Sequence, residues 1–426
     1  MPWVLAKPVV GLRDLGTMGV TQGGNNSMSE KIKVAVVFGG LSSEHDVSVL
    51  TGLEVLEALN PAKYDAFPVY VGLDGQWWVG DALRDRKNYL PDAATKRSLT
   101  RVSLNVGAAY EGGHWLLREV GGGGLLSKPK SLEFDMIIPA LHGTWGEDGT
   151  LQGVLAAEKI PFVGGGVDAM ALTIHKMWTL GAAERAGLPI PPTMFVSKDD
   201  DLDDKLDSWR GDYPVFVKPN YLGSSIGARV AKTPDDARMA LTEVFRLDHA
   251  ALVQRCIPNL IEYNVAVRRK PDGTVITSAI ERPLRKDESY TFKDKYLSGD
   301  MASKLSGGSN PGLVNATRII NPPELDDGRA TQLRAWAVAL FEALDLAGAP
   351  RLDFLCNEQT GEIWFNEVNP LPGSFGYFLW EAATPSVGYS ELLDDMLVEA
   401  RQRSRNRVRV IDPVANGGSI FPKRGV

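Results

Sequence analysis

Cysteine is nearly absent: Cys256 and Cys356 are the only two in 426 residues. Two thiols in a chain this long make no disulfide framework, which excludes the stapled secreted class and fits a reducing cytoplasm. Long apolar runs are lacking too. No stretch reaches the roughly 20 residues needed to cross a bilayer, so no membrane partner is expected. Excess positive charge is missing: 46 Lys and Arg stand against 53 Asp and Glu, a formal net charge of −7. Nothing in that balance points to a nucleic-acid surface. Internal repeats are absent, and the only low-complexity tract is GGGG at Gly121 to Gly124. What remains is an ordinary globular composition, 44% hydrophobic and 23% charged, long enough for two or three domains.

The two ends read differently from the rest. Residues 1–30 carry short apolar pieces interrupted by Lys7, Arg13 and Asp14, without a cleavable signal pattern. They read as a disordered extension, or as the product of an early start with Met28 the alternative. The stretch RQRSRNRVRV, Arg401 to Val410, reads as a solvated helix end running into a tail over 403–426.

Between them the chain opens as α/β. KIKVAVVF, Lys31 to Phe38, is a β-branched run of the kind a buried parallel strand needs. It ends in Gly39-Gly40, and a helical spacing follows through LSSEHDVSVLTGLEVLEAL. DAFPVYVGL is a second strand, turned by Asp74-Gly75 into a hairpin. Residues 80–130 read as a loop-and-hairpin insertion, and Met136 to Leu141 as a third buried strand. Asp168 to Leu188 reads as one helix ended by the proline-rich AGLPIPPT. Strands TMFVS, PVFVKP and ALVQRCI follow, with an acidic stretch and the helix PDDARMALTEVFR between them. A last region holds strands EYNVAVRR and TVITSAIE, a polar loop over 282–319, a helix from Pro323 to Leu344, and strands RLDFLCN and EIWFNEVNP. The expected divisions are 31–167, 168–256 and 257–402.

Three constellations carry chemistry. Arg351 and Asp353 lie two apart on one strand, as do Glu367 and Asn369 on the next, so each pair points to one face. Asp, Glu and Asn oxygens suit Mg²⁺, which takes one or two carboxylates and fills its shell with phosphate and water. Lys218 is strand-borne among valines and needs a partner if buried. It precedes GSSIG, and lysines such as Lys176, Lys218 and Lys295 suit phosphate oxygens. His142 opens the polar loop HGTWGEDG at a strand's carboxyl end, where ligands bind in open α/β sheets. Glu44 lies at the same end of the same sheet, where a carboxylate can hold an ammonium group.

GGLSSEHDVS, HGTWGEDGTLQG, VKPNYLGSSIG, KDKYL, RLDF and NEVNPLPG occur here in an order and spacing that resembles the D-alanine–D-alanine ligases, a family of the ATP-grasp superfamily. The resemblance covers about Lys31 to Arg401. It implies a three-domain ATP-grasp ligase with an N-terminal parallel-sheet (pre-ATP-grasp) domain. It implies an enzyme that activates a D-alanine carboxylate with ATP as an acyl phosphate, then couples it to a second D-alanine for peptidoglycan. The expected cofactors are ATP and two Mg²⁺ or Mn²⁺ ions; the expected partners are small-molecule substrates, D-alanine or related amino acids, and a second copy of the chain in a homodimer.

Carried over position by position, the resemblance puts Lys176, Lys218 and Ser225 on the phosphates and Lys295 on the γ-phosphate. Ser224, Glu44 and Tyr296 would form a hydrogen-bonded triad. Glu44 would hold the first substrate's ammonium and His142 would lie near its carboxylate. Gln254, Cys256 and Ile257 would border adenine, and Glu262 the ribose. Asp353, Glu367 and Asn369 would hold the metal, while Arg351 and the Gly373 backbone would stabilise the oxyanion. Tyr296 favours peptide over ester formation. The glycine loop and the 282–319 loop are expected lids.

The chain also departs from the pattern. Ser374, Phe375 and Gly376 replace the expected run after the metal asparagine. Phe378, with Leu379 beside it, falls where a serine helps bind the second substrate's carboxylate, and a ring cannot make that hydrogen bond. Ile174-His175 replaces the usual Met-Asp. Two other readings therefore stand beside the first: a related ligase with a different acceptor amine, and a non-catalytic nucleotide-binding protein.

Overall fold

Strand β1 (Ile32–Gly39) pairs in parallel with β2 (Tyr64–Val71) on one side and β7 (Met136–Pro139) on the other. Its alternate residues feed two cores. Val34, Val36 and Phe38 pack on one face, Ala35 and Val37 on the other, which is why the run is apolar without a break. The computed structural model describes residues 31–107, 115–120, 131–223, 226–284 and 318–406. The residues from Ile32 onward form one unit.

Among the described residues, three sheets follow one another along the chain. The first has the order β6-β5-β4-β3-β2-β1-β7. Its antiparallel part, β3 (Trp77–Val79), β4 (Thr100–Leu104), β5 (Trp115–Glu119) and β6 (Ser131–Phe134), continues the parallel strands outward. Within 80–130, expected to be a loop-and-hairpin insertion, the described strands β4 and β5 pair antiparallel as a hairpin that adds to the sheet, and a short helix α2 (Ala93–Lys96) precedes them. Helix α1 (His45–Ala58) crosses β1 very closely. A Cβ on Gly52 would stand 2.3 Å from the Phe38 ring, so only glycine fits there. Helix α3 (Thr150–Ala157) follows the HGTWGEDG loop.

The single helix expected over 168–188 is two, α4 (Val167–Ile174) and α5 (Lys176–Arg185). His175 breaks it: its side chain accepts from the Trp178 N–H and caps α5. The Lys176 N–H donates to the Asn220 carbonyl instead of to a preceding helical turn. The break thus leaves Lys176 at a helix start.

The second sheet runs β10-β9-β11-β8, all antiparallel, from β8 (Thr193–Ser197), β9 (Val215–Pro219), β10 (Arg229–Ala231) and β11 (Ala250–Arg255). The acidic stretch holds a short helix, α6 (Leu202–Ser208), capped by Asp201. Helix α7 (Pro234–Val244) starts on a capping box between Thr233 and Asp236, with proline in its first turn. Val215, Val217 and Val253 pack with Ala237, Leu241 and Val244 of α7. By alternation Lys218 and Gln254 share the opposite face.

The third sheet is β14-β13-β12-β15-β16, built from β12 (Leu260–Arg269), β13 (Val275–Pro283), β14 (Arg318–Ile320), β15 (Arg351–Asn357) and β16 (Ile363–Asn369). Helix α8 (Asp327–Ala343) buries Leu333, Ala337, Leu340 and Phe341 against Tyr263, Val265, Leu352 and Phe354 on one face. The other face carries the polar residues. Helices α9 (Tyr377–Glu381) and α10 (Tyr389–Asn406) close the described chain, and Leu379, Trp380, Leu392 and Met396 join Val34, Val36 and Phe38 in one core.

Candidate active site

Antiparallel pairing of β15 and β16 sets Arg351 opposite Asn369 and Asp353 opposite Glu367. Directly paired residues share a face, so all four converge on the side away from α8. The Arg351 guanidinium donates to both Asp353 oxygens, Nε to Oδ1 at 2.7 Å and Nη2 to Oδ2 at 2.8 Å. Burial pushes the Asp353 carboxyl up to about 6; Arg351 opposes the rise, and Glu367 and Glu262 add to it. Asn369 Oδ1 is buried and has no hydrogen-bond partner among the described residues. An orphaned amide oxygen beside two carboxylates is a donor set that fits a hard divalent ion. Among the described residues no three His, Cys, Asp or Glu side chains gather to hold a metal, so any ion here would rest on two carboxylates, the amide and its substrates.

One irregularity in β16 serves the site. The pairing slips between Asp353 and Phe354, leaving Asn366 as an extra residue. Its Oδ1 accepts from Lys218 Nζ at 3.0 Å. Lys218 is buried on β9, so the second sheet delivers an ammonium onto the carboxylate strand of the third. Lys176 reaches the same region, its Nζ donating to the Leu222 carbonyl at 2.7 Å. Burial lowers its pKa, while Glu367, Asp248, Glu44 and Glu147 raise it, in that order of strength among the carboxylates. Lys176 therefore lies in a field of acids drawn from all three sheets and their connections.

Glu44 immediately precedes α1 and is buried. Its carboxylate stands against two glycine loops: a Cβ on Gly143 would lie 2.9 Å from Oε2, and one on Gly223 would lie 3.3 Å from it. Gly223 belongs to the loop after Lys218, so that loop reaches the first sheet. His142 is buried beside it, Nε2 2.8 Å from Thr51 Oγ1 and Nδ1 3.9 Å from Glu147 Oε1. Thr51 Oγ1 also accepts the Ser374 N–H at 3.0 Å, and Ser374 Oγ donates to Glu54. Ser374, Phe375 and Gly376 all have positive φ, 49°, 54° and 61°, so the turn after Gly373 is left-handed throughout.

The other expected positions are more dispersed. Gln254 lies on β11 and donates to Thr193 Oγ1 at 3.0 Å. Cys256, whose thiol burial pushes up, and buried Ile257 follow it in the link to β12. Glu262 is on β12, on the face of Asn264 and Asp353. Phe378 and Leu379 stand in α9, Leu379 fully buried and the Phe378 ring under Arg318. Ser224, Ser225, Lys295 and Tyr296, with most of the 282–319 loop, lie outside the described residues. Thr51, Asn366, Asn264, Glu281 and Arg318 were not anticipated. Thr51 and Asn366 carry no sequence signal: one is a hydroxyl on an ordinary helix, the other depends on a bulge.

Two family models match the chain: D-ala D-ala ligase N-terminus over residues 33–165 and D-ala D-ala ligase C-terminus over residues 182–398. The D-alanine–D-alanine ligase of Acetivibrio thermocellus is 30% identical, with 90% of this chain and all of that protein covered. That of Corynebacterium aurimucosum is 32% identical over 88% of this chain and 99% of its own length. Among solved structures, the D-alanine-D-alanine ligase of Coxiella burnetii superposes with a TM-score of 0.69 at 24% identity, covering 89% of this chain and 96% of its own. A D-Ala:D-Ser ligase from Enterococcus faecalis gives 0.67 at 22%, covering 87% and 100%. At those identities the two structures speak for the fold alone.

Proposed function

The chain belongs to the D-alanine–D-alanine ligase family, and from that premise we propose that it is an ATP-dependent, ADP-forming ligase joining two D-alanines for peptidoglycan precursors. The observation that carries this reading is the meeting of Lys218 with the Asp353–Glu367–Asn369 strand pair through Asn366. Anionic substrates need cations from one side and metal-holding oxygens from the other. That pairing supports a nucleotide between the second and third sheets, with divisions near 31–167, 168–256 and 257–402.

In the proposed reaction a carboxylate oxygen of the first D-alanine attacks the γ-phosphorus of ATP, and ADP leaves. The second D-alanine's ammonium gives up one proton and its amine attacks the acyl carbon; phosphate leaves and the nitrogen gives up a second proton, keeping one as the amide N–H. Both steps bring negative groups together, so fixed cations must meet them. Lys176 and Lys218, with Ser225 and Lys295, would bind the phosphates. Glu44 would hold the donor ammonium in a link with Ser224 and Tyr296, and His142 would lie beside the donor carboxylate. Arg351 and the Gly373 N–H would receive the oxyanion. Gln254, Cys256 and Ile257 would border the adenine and Glu262 the ribose. Mg²⁺ or Mn²⁺, as two ions held by Asp353, Glu367 and Asn369, would neutralise phosphate charge when bound. We further place the enzyme in the cytoplasm as a homodimer.

A second reading, the same activation with another acceptor amine, is favoured by Phe378 in the acceptor position beside Leu379. A silent nucleotide binder is less suited to so complete a set of charges. The test is phosphate release from Mg-ATP with D-alanine alone and then with other amino acids, with masses of the products. D-Alanyl-D-alanine as the main product supports the first reading. Release only with a different amine replaces it by the second, and no release with any amino acid refutes both.

A further inference from the structure

Resting on the ligase reading, we propose that Arg318 determines specificity for the second substrate by receiving its carboxylate beside the Phe378 ring. Arg318 lies on β14 and shares a sheet face with Glu281. Its Nη1 donates to Glu281 Oε2 at 2.9 Å, and Glu281 Oε1 accepts from Asn264 Nδ2 at 3.0 Å. Asn264 is the cross-strand neighbour of Asp353. A polar row thus crosses the sheet from the carboxylates to Arg318.

The guanidinium has capacity left. Its Cζ stands 4.1 Å from the Phe378 ring centre, so the ring covers one flat face of a guanidinium whose fork geometry suits a planar anion. Its Nε is buried and has no partner among the described residues, and the side chain as a whole remains 27% exposed. Arg351 is differently committed, with two donors on Asp353. The resemblance that gives Phe378 the acceptor's carboxylate position would set an amino-acid acceptor on the α9 side. There its carboxylate would meet α9, whose Phe378 can offer no hydrogen bond, and Arg318 supplies the missing charge.

The test sets equal D-alanine and D-alaninamide against each other as acceptors, with D-alanine as donor and Mg-ATP. The amide has no carboxylate to activate, so it can only accept. The product ratio is read by mass. The variant is Arg318→Gln combined with Glu281→Gln, which leaves neither a buried carboxylate nor a guanidinium alone. The native chain should favour D-alanine, and the double variant should lose about tenfold or more of that preference, the scale of a lost charged contact. Its KM values for ATP and donor should stay within about threefold, a split that a merely structural role would not give. An unchanged ratio overturns the proposal. If the double variant does not fold, Arg318→Lys reads the same ratio: lysine keeps Glu281 paired but has no planar edge, so preference must still fall. Lack of ADP formation by the native chain overturns the ligase reading and this proposal with it; ADP formation with an unmoved ratio overturns this proposal alone.

Discussion

Replacing Thr51 by valine removes one hydroxyl and almost no volume. Thr51 Oγ1 is buried, accepts the Ser374 N–H at 3.0 Å and stands 2.8 Å from His142 Nε2. Valine leaves both groups without that partner. A buried polar group stripped of its partner costs about 1–3 kcal/mol. Ser374 is half-buried and sits at the low end of that range, so the two together cost about 2–4 kcal/mol, partly offset by the apolar methyl. The loss falls on a turn that already runs against preference, because Ser374 and Phe375 hold left-handed φ values without being glycine. Released from Thr51, the turn should relax and carry the Gly373 N–H out of the place proposed for it at the oxyanion. A tenth to a hundredth of the native kcat is expected, since each factor of ten corresponds to about 1.4 kcal/mol. The assay is coupled ADP release at saturating ATP and D-alanine, with thermal unfolding alongside. Thr51→Ser keeps the oxygen and should stay within about threefold in rate while losing roughly 1 kcal/mol for its methyl. Valine and native chains alike in both rate and unfolding would mean that Thr51 does not hold the turn.

Glu367→Gln should lower kcat more than about a hundredfold, beyond the range seen for outer partners of a metal site, without moving the unfolding temperature; near-native turnover would remove the metal assignment. Asn366→Leu takes the oxygen from the buried Lys218 ammonium and should raise the ATP KM about 10–100-fold with the donor KM unmoved, as expected for a charged hydrogen bond; equal changes in both would count against it. Glu399 is buried on α10, and burial pushes its carboxyl from 4.5 up to about 7, with the Gly348 N–H opposing. The folded chain therefore holds this proton where the unfolded chain has lost it, and stability falls as pH rises from about 4.5 to about 7, by about 3 kcal/mol in all. Glu399→Gln should be more stable relative to native at pH 8 than at pH 5, and an equal offset at both pH values would reject that account.

Much of this was readable from residues alone, and the reasons are local. The parallel strand at 32–39 announces itself because both its faces are buried, and Asp353 and Glu367 because alternation on two strands allows them only one face. The break at His175 was hidden by an apolar spacing that continues through it; only the distant Asn220 carbonyl makes the interruption stable. The strands of 77–119 are three to five residues long with mixed faces, too short for periodicity to register. Asn366 and Glu367 can both serve the site only because the strand is bulged there, which strict alternation would not allow for two successive residues. Arg318 and Glu281 form their pair 37 residues apart in sequence, a contact with no signature in spacing.

In the proposed reaction a carboxylate is activated by phosphoryl transfer before the amine attacks. The most direct measurement supplies D-alanine labelled with ¹⁸O in its carboxylate, with Mg-ATP, and analyses the released phosphate by mass. One ¹⁸O in each phosphate is the expected result, because the bond to phosphorus forms at a carboxylate oxygen and the bond to carbon is the one that breaks. Phosphate free of the label, released alongside peptide, would contradict the claim.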